Sequence, residues 1–458
     1  MQPAISPDIF KAYDVRGRVG EQIDGDVAEA VGRAFVRVLA TLAGRDQGEL
    51  RIGLGRDMRP QAEELTERYR AGLVAEGAHV LDAGMIGTEM LYWLVGSHDL
   101  DGGLMCTASH NPRSYTGAKL VERGAVALSG DRGIGEIRAL LEEGLGQPCG
   151  GGRVEEVEIY SDFHRHALTF IDPARIRPMK VVVDGASGMA GPMVGPVLAA
   201  LPGLELIASN WDADGAFPES GPNPLLEENR ASIIEAVRAH GADVGIAWDG
   251  DADRCFFIDG GGEFVAGDFT TALLAASVLE HKPGADILYD VRASRAVPDT
   301  VRRNGGRPLI NRVGHAFFKT RMRDEGGAFG GEVSGHYYFH DFYNADSGTI
   351  PALLVLELLS KRGRTLAELL QPLRARYHIS GEINSQVSDQ QAKLQEIKER
   401  YADAQISELD GVSVDYEDWH FNVRPSNTEP LLRLNLESLV SRADMERRRD
   451  EVLELIRS

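Results

Sequence analysis

The chain has 458 residues, 43% hydrophobic and 26% charged, too many for one core and enough for three or four domains at ~100–200 residues each. Its formal charge of -21, from 49 Lys+Arg against 70 Asp+Glu and without a basic block, argues against a nucleic-acid partner. No apolar run reaches the ~18 residues of a membrane span, MQPAISPDIF does not read as a signal peptide, and Cys106, Cys149 and Cys255 are scattered, which together predict a cytoplasmic protein without a disulfide framework.

Residues 27–42 place Val27, Val31, Phe35, Val38, Leu39 and Leu42 on one helical face, with Asp26 and Glu29 spaced as a capping box. L-R-I-G-L-G-R-D (50–57), A-H-V-L-D-A-G (78–84) and G-G-L-M-C-T-A (102–108) read as strands that end in polar loops. Thr107-Ala108-Ser109-His110-Asn111-Pro112 closes the last of these. It lacks the G-x-S-x-G frame of a hydrolase elbow. Neighbours on an extended strand point to opposite sides, so His110 is poorly placed as a base for Ser109 unless the loop turns sharply. Alone, the six residues read as a polar turn with a proline stop or, equally, as a serine loop that accepts a phosphoryl group. Lys119, just downstream, suits the stabilisation of phosphate charge or the shuttling of a proton.

A Gly-rich break, Q-P-C-G-G-G-R (147–153), precedes a second unit that runs from P-M-K-V-V-V-D-G-A-S-G-M-A-G (178–191) to V-G-I-A-W-D-G-D-A-D-R (244–254). Asp249, Asp251 and Asp253 alternate after a buried strand, where three like charges repel unless a cation holds them. Arg254 and Gly260 stand where an EF-hand needs Gly and Glu, so that reading fails, and Mg²⁺ on hard oxygen ligands is expected instead. No CxxC pair is present to make a thiolate zinc site.

A third unit follows D-G-G-G (259–262), with a strand A-D-I-L-Y-D-V (285–291) and the loop Gly331-Glu332-Val333-Ser334-Gly335-His336. There Glu332 and Ser334 offer hydrogen bonds to vicinal hydroxyls, although alone the loop also reads as a capped turn. Residues 350–370 look helical and linking. From about residue 377 come a helix around Leu394, Ile397 and Tyr401, the run W-H-F-N-V-R-P-S-N-T-E-P, the alternating strand L-L-R-L-N-L-E and a charged final helix. Arg424, Ser426, Asn427 and Thr428 suit an anion nest, while no G-x-x-x-x-G-K-[ST] indicates a nucleotide P-loop. Strands interleaved with helices imply α/β layering with functional loops at the carboxyl ends of strands. A phosphoryl acceptor, a hard-metal site, a hydroxyl reader and an anion nest, in that order, are what handling a sugar phosphate requires.

Together with F-K-A-Y-D-V-R-G (10–17), G-R-D (55–57) and V-G-H-A-F-F-K (313–319), these four loops resemble the α-D-phosphohexomutases over essentially the whole chain, most of all the bacterial phosphomannomutase/phosphoglucomutase branch. The resemblance implies a four-domain α/β architecture: three similar domains with mixed sheets and a smaller α+β C-terminal domain around a central cleft. The expected boundaries are 1–150, 151–258, 259–370 and 371–458. It implies an isomerase, an intramolecular phosphotransferase that interconverts hexose 1-phosphate and hexose 6-phosphate of mannose and/or glucose. Ser109 would carry the phosphate, a 1,6-bisphosphate intermediate would turn around while bound, and glucose or mannose 1,6-bisphosphate would serve as activator. Asp249, Asp251 and Asp253, with a Ser109 phosphate oxygen, would hold one Mg²⁺.

By the same resemblance His110 shapes the loop or contacts phosphate, and Arg16, His315 and Lys119 are the candidate general bases. Glu332 and Ser334 would read the sugar O3 and O4. Arg424, Ser426, Asn427 and Thr428, helped by Tyr13, would clamp the non-reacting phosphate, with Arg254, Arg292, Gly314 and His315 completing the substrate set. Two departures stand out: Thr116-Gly117 where the family often has Asn-Gly, and Arg292 in place of a lysine, which changes donor geometry. The Glu-Val-Ser triplet and Asn427 favour hexose over glucosamine substrates. The alternatives are a phosphoglucosamine mutase, a sugar phosphatase with Asp249 as nucleophile, and an inactive sugar-phosphate binder. The expected partners are small hexose phosphates, with neither nucleic acid nor membrane, and the expected state is a monomer or weak dimer.

Overall fold

The computed structural model describes residues 5–217, 221–426 and 431–458. Its contacts fall into two compact units, Met1–Phe264 with His336–Gly363, and Val265–Gly335 with Arg364–Ser458. No helix among the described residues is long and apolar enough to cross a membrane.

The long helix of the first unit's N-terminal part, Gly25–Ala43, has a buried face that carries Val27, Val31, Phe35, Val38 and Leu39 as the sequence pattern predicts. Its cap differs from expectation. Asp24, not Asp26, accepts from the Val27 N–H at 2.9 Å, and Asp26 and Glu29 instead pair with Arg68. The strands β1 (Val15–Arg18), β2 (Arg51–Arg56), β3 (His79–Met85), β4 (Gly102–Cys106), β5 (Tyr115–Glu122), β6 (Val126–Ala127) and β7 (Arg153–Glu156) form one mixed sheet in the order β1-β5-β4-β2-β3-β7, with β6 beside β5. The central strands β3, β2 and β4 are parallel, β5 runs antiparallel to β4, and β1, antiparallel to β5, runs in the direction of the central strands. β2 and β4 therefore end on the same side and deliver 57–59 and 107–112 next to each other: the Asp57 N–H donates to the Cys106 carbonyl at 3.0 Å.

A second sheet contains β8 (Met179–Asp184), β9 (Leu204–Ser209), β10 (Val244–Trp248) and β11 (Cys255–Asp259), ordered β11-β10-β8-β9. β8, β9 and β10 are parallel. β11 returns antiparallel to β10 with Trp248 opposite Cys255, so Asp249–Arg254 is the connection of a hairpin. The short strand β12 (Phe264–Val265) lies where the chain passes into the second unit.

In that unit β13 (Asp286–Asp290) pairs in parallel with β14 (Arg307–Asn311) and β15 (Phe329–Gly331), which places the Arg292 and Glu332 loops at carboxyl ends of strands. The chain then returns to the first unit as the antiparallel pair β16 (Tyr337–Phe339) and β17 (Ala345–Asp346), followed by the buried helix Thr349–Arg362. The expected linking helix is broken at Gly363, whose φ of 59° ends one helix before Leu366–Arg376 begins another.

The last segment is antiparallel throughout. β18 (His378–Ile379), β19 (Ile383–Gln386), β20 (Gln405–Ser407), β21 (Val412–Asp415), β22 (Trp419–Pro425) and β23 (Leu431–Ser438) are ordered β18-β23-β22-β21-β20, with β19 also on β23. Leu394, Ile397, Val452 and Ile456 of the helices Gln390–Arg400 and Arg442–Arg457 pack on its Trp419, Phe421, Val423 and Leu434. This α+β layer differs from the α/β arrangement before it, as the sequence implies.

Candidate active site

Ser109 stands three residues beyond β4 with φ at 49°, and it is 1% exposed. That left-handed conformation is the sharp turn an extended strand would not supply. It brings His110 Nδ1 to 3.2 Å from Ser109 Oγ, so the two side chains do meet. Burial, then the charges of Arg254 and Arg16, hold the His110 imidazole well below its usual range and keep it neutral.

The turn is fastened from behind. The Ser109 N–H donates to Thr107 Oγ1 at 2.8 Å, and Thr107 Oγ1 donates to Asp57 Oδ2 at 2.6 Å. Arg59, paired with Asp57, donates to the carbonyls of Ser109 (2.8 Å), Asn111 (2.7 Å), Pro112 (3.0 Å) and Tyr115 (3.3 Å). Arg16 donates from β1 to the Ala108 carbonyl at 3.0 Å and to Asn111 Oδ1. Five backbone carbonyls of one loop are thus held by two guanidinium groups, a geometry that fixes where Ser109 Oγ points.

It points at the acidic hairpin. Ser109 Oγ donates to Asp249 Oδ2 at 3.2 Å, and Asp249 Oδ1 accepts from the Arg254 N–H at 3.2 Å. Asp249, Asp251 and Asp253 are buried, and one carboxylate oxygen from each lies within 4.8 Å of the others. Burial and its two acidic neighbours push the Asp249 carboxyl well above the ordinary range. Burial works against charge on Asp251 as well, but Lys119 and Thr88 bring it below the ordinary range. Lys119 Nζ lies 2.6 Å from Asp251 Oδ2 and also pairs with Asp253, which outweighs its burial and holds the ammonium charged. Asp251 Oδ1 and Asp253 Oδ1 are buried oxygens without a hydrogen-bond partner. Three convergent hard donors with lone pairs to spare fit a divalent cation of the Mg²⁺ type.

Arg254, His336, Asp346 and Thr88 complete this cluster. Arg254 Nε donates to His336 Nε2 at 3.2 Å, and that nitrogen lies 3.8 Å from both Asp253 Oδ1 and Asp346 Oδ2. Thr88, first residue of the helix Thr88–Ser97, donates its N–H to the Asp251 carbonyl at 3.2 Å and its hydroxyl to Asp251 Oδ2 at 2.5 Å. Tyr13, half-buried just before β1, belongs to the same unit.

The second unit gathers the remaining candidates. Arg292 forks onto Asp290 with two contacts of 2.9 Å. Glu332 is 1% exposed; its Oε1 accepts from the Gly314 N–H at 2.8 Å and lies 3.9 Å from Arg292 Nη2. His315 opens the next helix, and the Val333 N–H beside Glu332 donates to Asp290 Oδ2 at 2.9 Å, which sets the start of the Ser334 loop. Arg424 sits on β22 and Ser426 just beyond it, its N–H bonded to the Leu431 carbonyl at 2.9 Å. Asn427 and Thr428 lie outside the described residues.

Sequence reasoning passed over His336, although it stands inside the G-E-V-S-G-H motif, because its partners Arg254 and Asp346 lie far away or carry no motif. Arg59 was missed for a similar reason: only the fold shows four carbonyls converging on it.

Four family models match the chain in succession: the α/β/α domains I, II and III and the C-terminal domain of phosphoglucomutase/phosphomannomutase, at residues 7–145, 158–262, 266–377 and 382–455. A phosphomannomutase of Salmonella montevideo is 42% identical over 458 residues, covering 98% of this chain and 99% of the relative. A solved Burkholderia thailandensis protein of the phosphoglucomutase/phosphomannomutase family superposes with a TM-score of 0.88 at 33% identity, covering 98% of this chain and 97% of that one. The fold extends to an Aspergillus fumigatus N-acetylphosphoglucosamine mutase solved with glucose 1,6-bisphosphate, with a TM-score of 0.60 at 16% identity over 100% of this chain and 96% of that one. Matched along four consecutive segments and by a close relative over nearly its whole length, the chain belongs to the phosphoglucomutase/phosphomannomutase family.

Proposed function

We propose that the protein interconverts the 1- and 6-phosphates of a hexose, mannose and/or glucose, through a phosphoserine at Ser109 and a 1,6-bisphosphate that turns around between two transfers. The observation that carries this reading is Ser109 Oγ at 3.2 Å from Asp249, at the edge of three buried carboxylates and beside Lys119 and His110. The names of the relatives, phosphomannomutase and phosphoglucomutase, support the reaction, and glucose 1,6-bisphosphate in the Aspergillus structure supports the intermediate and activator.

In the first transfer the bond from Ser109 Oγ to phosphorus breaks as a hydroxyl of hexose 1-phosphate bonds to phosphorus. The hydroxyl proton passes to a base for which Arg16 and His315 remain the candidates; Lys119, also expected from the sequence, is held as the ammonium between Asp251 and Asp253 and has no lone pair to take it. Neutral His110, 3.2 Å away, is able to exchange the proton of Ser109 itself. The bisphosphate then reorients and its second phosphoryl group returns to Ser109. Asp249, Asp251 and Asp253 would hold one Mg²⁺, which when bound supplies charge neutralisation at the transferring oxygens. Arg254 and Lys119 add fixed positive charge to the same place.

Glu332 and Ser334 are assigned to the sugar O3 and O4, which become roughly interchangeable when the ring flips. Arg292, Gly314, His315, Arg424, Ser426, Asn427, Thr428 and Tyr13 are assigned to phosphate and sugar positioning. The segments 1–150, 151–258, 259–370 and 371–458 then carry one motif each. Hexose is favoured over glucosamine by the Glu332-Val333-Ser334 triplet and Asn427. A phosphatase with Asp249 as nucleophile is disfavoured because both its oxygens already accept hydrogen bonds, from Arg254 and Ser109. Three free cysteines among the described residues support a cytoplasmic setting. Replacing Ser109 by Ala is expected to lower kcat at least ~10³-fold with KM nearly unchanged, measured as glucose or mannose 1-phosphate turnover with added bisphosphate. Near-normal turnover by that variant contradicts the reading.

A further inference from the structure

Glu382, just before β19, faces three arginines from its own unit. Its Oε2 lies 3.4 Å from Arg292 Nη1 and 3.3 Å from Arg424 Nη2, and its Oε1 lies 3.3 Å from Arg433 Nη1. Strand register explains the convergence: Arg433 is opposite Arg424 across β22–β23 and opposite Asn384 across β19–β23, so Glu382 enters the cluster from the next strand. The arginines are not equally satisfied. Arg292 already has both oxygens of Asp290, whereas Arg424 and Arg433 share Glu382 and keep buried Nε atoms without hydrogen-bond partners. Arg424 is 8% exposed, and burial together with the charges of Arg292 and Arg433 makes its own charge costly.

A single carboxylate serves this cluster poorly. Charge-assisted N–H···O contacts settle near ~2.7–2.9 Å, and arginine prefers two oxygens at once. Here all three contacts are 3.3–3.4 Å and each is made by one guanidinium nitrogen. An anion with three or more terminal oxygens fits the donors better. The Glu382 side chain is also 26% exposed against 6% for Arg292 and 9% for Arg424, so it is able to swing out to water while those two arginines stay in place; Arg433, at 28%, reaches water as Glu382 does.

We propose that the Glu382 carboxylate is a displaceable counter-ion that competes with a phosphate dianion for Arg292, Arg424 and Arg433. The proposal rests on the reading of Arg292 and Arg424 as phosphate-binding groups. Its consequence is kinetic. A 1,6-bisphosphate that must turn around has to leave these arginines and return, and bare buried guanidinium groups would make departure costly. Glu382 takes their charge as phosphate departs and gives it back as phosphate arrives. Binding is weakened and reorientation eased by the same carboxylate.

Calorimetric titration of the full chain with inorganic phosphate at fixed ionic strength tests this without any turnover. Glu382→Gln is expected to bind phosphate about tenfold more tightly than the unsubstituted chain, and Glu382→Asp, with its carboxylate withdrawn by one methylene, about threefold more tightly. In the mutase assay Glu382→Gln lowers KM and kcat together, because phosphate leaves more slowly. Equal or weaker phosphate binding by Glu382→Gln overturns the proposal, since a carboxylate that only positions the arginines would weaken binding when removed. If the Gln variant fails to fold, Glu382→Asp decides by the same sign. Failure here leaves the phosphoserine reading standing, because that reading is tested separately at Ser109.

Discussion

At the scale of single residues, position rather than identity distinguishes Ser109 from an ordinary buried serine. Arg59 illustrates the cost of losing that position. Lysine there keeps charge beside Asp57 but cannot reach the carbonyls of Ser109, Asn111, Pro112 and Tyr115 together. Arg59→Lys is expected to lower kcat by about 10²-fold through misplacement of the serine, with KM little changed, in steady-state assays. Glu89 gives a prediction in pH. It is fully buried, its Oε1 accepts from the Thr349 N–H at 3.2 Å, and its Oε2 has no partner. Burial raises its carboxyl from 4.5 to about 8. Below 4.5 both folded and unfolded chains hold the proton and the site contributes fully. As pH rises from 4.5 through 8 the unfolded chain ionises first, and this contribution to stability is lost. Glu89→Gln removes the loss, so its melting temperature relative to the unsubstituted protein is expected to rise between about pH 5 and about pH 8.5, by the equivalent of a few kcal/mol. A difference independent of pH would contradict the assignment. Ser109 and the three aspartates were legible in the sequence because each ends an apolar run. Glu89 was not, since nothing near it shows that Thr349 lies against it.

At the scale of elements, the site depends on how closely two loops approach. A Cβ on Gly250 would lie 2.7 Å from the Ser109 carbonyl oxygen, closer than packing allows. Gly250→Ala is therefore expected to push the acidic hairpin away from the serine loop. The predicted result is a loss of ~1–3 kcal/mol in stability by chemical denaturation and a fall in kcat of about 10²-fold. Unchanged kinetics would show that the two loops need not touch. The strands β2, β3, β4, β10 and β13 were readable as short apolar runs closed by turn residues. The hairpin was not: C-F-F-I-D carries no alternation, and only pairing of Trp248 with Cys255 shows that the acidic residues form its turn. Asp24 was overlooked as a cap because Asp26 and Glu29 also have a capping spacing, and Arg68, distant in sequence, takes both.

At the scale of the molecule, the order of four motifs was legible, and the family models fall on the chain in that order. The return of His336–Gly363 to the first unit was not, because it rests on long-range contacts that leave no local pattern. Each unit holds a different part of the proposed chemistry: serine, carboxylates and Lys119 in one, Glu332 and the arginine cluster in the other. The claim that joins them is that Ser109 is the covalent carrier of phosphate. Mapping the phosphoryl group by mass spectrometry, after incubation with glucose 1,6-bisphosphate and proteolysis, tests it most directly. The predicted result is a single phosphoryl group on Ser109 that survives hydroxylamine. A hydroxylamine-labile group on Asp249, or full turnover with Ser109 never modified, would contradict it.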